Sequence, residues 1–239
     1  VRQASFHDPH RGAHHCLLPP LPAITQRLVA IVALSVAFVA MTMAIAAGMF
    51  NTLDHQVAQA MHDIWQEPLH RLFQLIAELG GMELTTVLML ALLIYLWRGG
   101  FGRDALVVFA FVGAVALEVL YKTLLFHPGP PRSLTHLDGP SLTTLLESSS
   151  IRNSFPSGHI VRAVVAYGLL AFVIRRLSPS RTVRALAIPV AVVIVVIESF
   201  DRIYLDVHWE SDVIGGLLLG GIALLAATVW LDRPRKAEN

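Results

Sequence analysis

The chain has 239 residues, 55% of them hydrophobic and only 15% charged, with a formal net charge of +1 and a mean hydropathy of +0.62. Several near-uncharged runs reach the ~20 residues that span a bilayer, so the composition argues for a polytopic membrane protein and against a soluble domain, and the near-zero net charge gives no footprint for nucleic acid as a partner. Cys16 is the single cysteine, which excludes a disulfide framework or a Cys-based metal site within one chain.

Residues 1–25 hold His7, His10, His14 and His15 among several prolines. Nothing periodic accompanies them, so the segment reads as a disordered tail rather than a metal-binding tract, with Cys16 an incidental thiol in it. The membrane domain occupies 26–232, and the pattern predicts an all-α fold of six transmembrane helices. They fall at about 28–50, 79–97, 105–126, 160–174, 183–200 and 213–231. Between the first two, Val57, Met61, Ile64, Trp65, Leu69, Leu72, Phe73, Leu75 and Ile76 recur at helical spacing, interrupted by Asp54, Asp63, Glu67, Arg71 and Glu78. This predicts an extracytoplasmic amphipathic helical segment at the membrane surface; it caps the bundle, guides a lipid toward a site, or serves only as a packed connector. Pro189 falls inside the fifth span and is a place for a kink. Gly216-x3-Gly220 in the sixth suits close packing against another helix of the same bundle. Residues 233–239 form a basic tail.

Loop charges orient the spans. Arg27, Arg98 and Arg103, then Arg175, Arg176, Arg181 and Arg184, then Arg233, Arg235 and Lys236 all fall on one side if the spans alternate. The positive-inside rule makes that side cytoplasmic, with both termini. Lys122, His159 and His208 then lie at the opposite, periplasmic or exterior interface, as expected for a multi-pass protein of a bacterial inner membrane.

Three blocks at that interface carry chemistry: Lys122 with the Pro-rich stretch after it, Ser154-Phe155-Pro156-Ser157-Gly158-His159, and Arg202-x5-His208-x3-Asp212. Ionisable groups beside apolar spans are costly unless used or paired. His208 and Asp212 are four apart and share a face if helical; the carboxylate can then hold one ring nitrogen and leave the other to attack. Arg202 can clamp phosphate oxygens with its planar fork. Pro156-Ser157-Gly158-His159 opens a helix, where free N–H groups bind anions and Gly permits close backbone approach. His159 is placed to protonate a leaving oxygen. Lys122 adds a cation and has Glu118 one turn earlier as an intrahelical partner.

These blocks closely resemble the type 2 phosphatidic acid phosphatase superfamily, whose pattern reads Lys-x6-Arg-Pro, Pro-Ser-Gly-His and Ser-Arg-x5-His-x3-Asp. The resemblance covers about residues 50–231. It implies a membrane lipid phosphatase in which His208 attacks phosphorus, Asp212 orients it, His159 protonates the leaving group, and Lys122, Ser157, the Gly158 amide and Arg202 hold the phosphoryl oxygens. It implies no metal and no cofactor. The substrate would be a lipid phosphate in the bilayer, with undecaprenyl pyrophosphate, phosphatidic acid, phosphatidylglycerol phosphate and lipid A phosphates as candidates. A phosphoryl transferase of the same superfamily, or a degenerate phospholipid-binding or transport protein, is the alternative.

The chain departs from the pattern twice. Gly129 stands where the first motif has arginine, and Asp201 where the third has serine. Arg132 and Arg162 are the candidates to replace the missing cation. Arg162, three residues after His159, is expected to reach the phosphate; the other possibilities are that it snorkels or pairs with Glu198 or Asp201. The polar loop 132–153 is expected to touch the head group or cover the site.

Overall fold

A segment inside hydrocarbon must satisfy its own backbone N–H and C=O groups, so the apolar runs fold as helices. The computed structural model describes residues 21–131 and 153–233, and these are helical throughout apart from turns, connectors and one isolated bridge between Pro128 and Asn153. In chain order the elements are α1 (Leu21–Ala46), α2 (Asn51–Asp63), α3 (Glu67–Ile76), a short 3-10 turn (Ala77–Leu79), α4 (Met82–Arg98), α5 (Gly102–Ala105), α6 (Val108–Leu124), α7 (Gly158–Leu177), α8 (Arg181–Tyr204) and α9 (Glu210–Leu231). Helix α1 starts within the segment read as tail. Loop 132–152 with Arg132, residues 1–20 with Cys16, and 234–239 lie outside the described residues.

Five stretches are long and apolar enough to cross a membrane: Ile24–Ala46, Glu67–Arg98, Gly102–Leu124, Arg181–Tyr204 and Glu210–Leu231. They match five of the six expected spans. The other, α7, is 20 residues long, about 30 Å of helix, but has a different environment. It packs against α8, α9, α6 and α4, and Ile160, Val161, Val165, Ala166 and Leu169 have no exposure. Helices α1 and α8 instead turn Val29, Val32, Val36, Val192, Val193 and Val196 outward, as lipid-facing surfaces do. Helix α8 continues through Pro189 as one element.

Helix α9 reaches α7 closely because its contact face lacks side chains. A β-carbon on Gly216 would come within 2.8 Å of the Ser157 carbonyl, and one on Gly220 within 2.8 Å of the Val164 side chain. The glycine pair therefore packs within the bundle, as its spacing suggested. At the other end of the bundle, Arg27 (2.6 Å) and Arg176 (2.9 Å) both reach Asp232, tying the starts and ends of α1, α7 and α9 together.

Helices α2 and α3 are fastened to the end opposite that cluster. Asp54 accepts from the Ser211 amide (3.0 Å) and hydroxyl (2.9 Å). His62 lies 3.3 Å from Asp206, and the Tyr204 hydroxyl accepts from the Gln66 amide at 2.9 Å. Phe73 packs inward on Phe200 and Tyr204, while Leu69, Leu72 and Leu75 face outward. The segment thus caps the bundle and also presents an apolar edge, as an interfacial helix does. Asp54→Ala leaves the buried Ser211 amide without a partner and its hydroxyl with only the 3.4 Å contact to His127; the expected loss is about 1–3 kcal/mol, read as a lowered thermal midpoint in detergent against wild type.

Candidate active site

The site is built where the end of α6, the start of α7, the end of α8 and the start of α9 meet. Lys122 is in the last turn of α6, Arg202 in the last turn of α8, Ser157 is the N-cap of α7 and Asp212 is in the first turn of α9. All four are buried, as is His208.

Asp212 joins the blocks. Its Oδ2 lies 3.2 Å from His208 Nδ1 and accepts from the Trp209 amide at 2.9 Å. Its carbonyl accepts from the Ser157 amide at 3.0 Å, which couples the second block to the third. The His–Asp pairing was expected from a shared helical face, and the reason is different. His208 precedes the helix, and Trp209 is the N-cap of α9. Asp212 at the third helical position reaches back to that cap amide, in the manner of a capping box, and takes the imidazole at the same oxygen. The carboxylate thus holds the Nδ1 side of the ring.

The Ser157 side chain does not cap its own helix, although its carbonyl accepts from the Val161 amide at 3.1 Å. The Ser157 amide goes to Asp212, and its buried hydroxyl makes no hydrogen bond. A hydroxyl in that state at a helix N-terminus is suited to an anionic oxygen. Pro156 lies before the cap rather than inside the first turn.

Glu118 is buried on α6 between two cations, Lys122 Nζ at 3.1 Å and Arg162 Nη1 at 3.3 Å. The expected Glu118–Lys122 pair is present. Arg162 differs from both of its anticipated pairings, since its carboxylate is Glu118 and not Glu198 or Asp201. Its Nε donates to the Gly80 carbonyl at 3.1 Å and its Nη2 lies 3.3 Å from His159 Nδ1. An arginine can only donate, so His159 Nδ1 is the acceptor in this contact. Gly158 was expected to allow backbone approach to a ligand; what approaches it here is protein, because a β-carbon there would overlap the Glu118 carboxylate and come within 2.7 Å of Arg162 Nη1.

Two residues that the motif reading passed over belong to the cluster. His127, in the Pro-rich stretch two residues before Gly129, places Nε2 at 3.4 Å from both Asp212 Oδ1 and the Ser211 hydroxyl. Asn153 ties the ends of the gap, accepting from the His127 amide (3.0 Å) and donating to the Lys122 carbonyl (2.8 Å). A histidine inside the first motif was the available signal for His127; Asn153 had none. Burial pushes the Asp54 carboxyl up from its ordinary value, opposed by the two Ser211 hydrogen bonds, and burial likewise raises Asp206, opposed by His62.

With the geometry in place, the sequence profile of the PAP2 superfamily matches residues 103–236, more than half of the chain. The chain belongs to the PAP2 superfamily. This PAP2 protein is 37% identical over 82 residues to phosphatidylglycerophosphatase B of Bacillus subtilis (strain 168), a match covering 34% of this chain and 39% of that protein. It is 30% identical over 148 residues to a putative undecaprenyl-diphosphatase of Escherichia coli (strain K12), covering 61% of this chain and 67% of the relative. Its fold is similar to the crystal structure of a transmembrane PAP2-type phosphatidylglycerolphosphate phosphatase from Bacillus subtilis, with a TM-score of 0.66, 25% identity, and coverage of 83% of this chain and 94% of that one. The PAP2 protein is thus an all-helical, multi-pass membrane protein.

Gly158→Ala forces a methyl group onto Glu118 and Arg162. The expected cost is about 1–3 kcal/mol, as for overpacking of a well-filled core, measured as the shift in thermal midpoint; Gly129→Ala, whose β-carbon would meet the Ser154 side chain at an ordinary 3.4 Å, should shift it little.

Proposed function

We propose that this PAP2 protein is a membrane-embedded lipid phosphatase that removes a phosphate monoester or splits a pyrophosphate on a lipid head group through a phosphohistidine. The observation that carries this reading is the buried His208–Asp212 pair joined by one backbone hydrogen bond to Ser157, whose buried hydroxyl makes no hydrogen bond. The names of the relatives, a phosphatidylglycerophosphatase and a putative undecaprenyl-diphosphatase, support a lipid phosphate as the substrate class.

In this mechanism the His208 Nε2 lone pair attacks phosphorus and a P–N bond forms as the bond to the leaving alkoxide or phosphate breaks. Asp212 stabilises the positive charge that develops on the imidazole. His159, charged as the imidazolium when the anionic phosphate is bound, gives its Nε2 proton to the leaving oxygen, and the neutral imidazole left behind takes one from the water that then cleaves the P–N bond. Lys122, Arg202, the Ser157 hydroxyl and the Gly158 amide hold the phosphoryl oxygens. Arg162, expected to stand in for the cation missing at 129, is assigned a different part: its three protein contacts make it the holder of His159 and Glu118. The reaction needs no metal in this scheme.

We place six spans in the membrane, α7 included, with the Asp232 cluster and both termini on the cytoplasmic side and the site at the outer interface. The positive-inside distribution supports this orientation. Helices α2 and α3 then lie at the outer surface, where the exposed Leu69, Leu72 and Leu75 edge meets the leaflet that carries the substrate.

The test is phosphate release by the purified protein in detergent from a panel of lipid phosphates and pyrophosphates, each with Mg²⁺ or EDTA. Release that resists EDTA and vanishes in His208→Ala is the expected result; no release from any lipid, with binding retained, moves the protein to the binding or transport alternative, and product that forms only with an added acceptor makes it a transferase. Gly129→Arg restores a motif cation at a position adjoining Ser154 and Val207, next to the nucleophile. It is expected to raise kcat/KM by roughly threefold to tenfold, in keeping with one added charge-assisted hydrogen bond.

A further inference from the structure

Each buried cation of the site faces a carboxylate, but not in the same way. Lys122 and Arg162 share Glu118, so that cluster keeps a net positive charge. Arg202 is matched one to one by its own neighbour: Nε, at 2.7 Å, and Nη2 both point to Asp201 Oδ2. That edge of the guanidinium is one of those with which arginine takes phosphate oxygens in pairs. The matching carboxylate has no exposure, and its other oxygen, Oδ1, makes no hydrogen bond. One turn earlier on α8, Glu198 is equally enclosed, and neither of its oxygens has a hydrogen-bond partner.

Stability does not explain this arrangement. Ion pairs removed from water commonly contribute less than well-packed apolar or neutral side chains of similar size, and an unsatisfied buried oxygen adds to the cost. The superfamily pattern carries serine at this position, which would offer Arg202 a neutral neighbour. In this chain the same step adds a negative charge, and Gly129 removes a positive one. Both changes act in one direction, against holding an anion.

Resting on the phosphatase reading above, we propose that Asp201 sets the affinity of the site for phosphate: its carboxylate holds one binding edge of Arg202 and opposes the product anion, so that inorganic phosphate is held weakly and leaves readily. Such a device matters because product release limits many enzymes, and binding that is equal for product and transition state contributes nothing to turnover. Asp201 is a positioning residue here, acting through Arg202 and not by contact with the reacting atoms.

The experiment uses the full chain in detergent and inorganic phosphate as the probe. Phosphate is titrated directly by calorimetry and as an inhibitor of lipid phosphate hydrolysis, in wild type, Asp201→Ser, Asp201→Asn and Asp201→Glu. Removal of the like charge is expected to tighten phosphate binding about tenfold in the Ser and Asn variants, to lower KM in both, and to leave the Glu variant close to wild type. A merely structural role predicts the opposite sign, since loss of the partner that orients Arg202 weakens phosphate binding. Unchanged or weaker binding in both neutral variants overturns the proposal, as does the absence of binding in wild type and variants alike. If one neutral variant fails to fold, the other still reports the sign. The two readings fail separately: an active wild type whose neutral variants do not tighten sinks only the role of Asp201, whereas a wild type that releases no more phosphate than His208→Ala removes the phosphatase reading itself.

Discussion

The arrangement depends on one carboxylate. Asp212 has no exposure, and its polar atoms face four different parts of the chain: the His208 ring, the Trp209 amide, the Ser157 amide and, more distantly, His127. A charge enclosed at a membrane interface is tolerated only with such compensation. The same residue brings together distant segments of the chain, through the Ser157 amide on its carbonyl and the His127 ring beside Oδ1. The first, second and third motif blocks are therefore held by a common electrostatic demand rather than by independent loops.

That demand can be met only if the helices approach closely enough. Gly216 and Gly220 let α9 lie against the start of α7, at Ser157 and Val164, and this is the approach that puts the Ser157 amide on the Asp212 carbonyl. Gly158 does the same for α6, giving the Glu118 carboxylate room beside α7 and, with it, Lys122 and Arg162. Small residues thus act here as permissions for buried charge to meet. In the low dielectric of the bundle, each ion pair is stronger than in water, and each missing partner more costly.

Membership in the PAP2 superfamily and the similarity to a solved transmembrane PAP2-type structure describe the framework. What distinguishes this chain is the charge carried on it. Glycine at 129 and aspartate at 201 leave the His208–Asp212 and Ser157 geometry in place while lowering the positive charge around it. The framework is kept by packing and by backbone hydrogen bonds, which those two side chains do not enter, so the charge can vary without loss of the constellation.

The helical spans, the three blocks and the Glu118–Lys122 pair were legible in the sequence, because hydrophobic length and short-range spacing are local properties. The partner of Arg162, the place of His127 beside Asp212, and the clamp from Asp54 to Ser211 were not, because each joins residues far apart in the chain and depends on which helices become neighbours. Even the His208–Asp212 contact, correct as a pair, owed its geometry to the cap of α9 and not to a shared helical face. The sequence by itself determined the bilayer-spanning character and the identity of the chemical groups, since these follow from residue type and from periodicity along one chain. Only the tertiary structure decided which carboxylate answers which cation, since a buried charge pairs with whatever the packing of glycine-lined helices brings within a few ångströms.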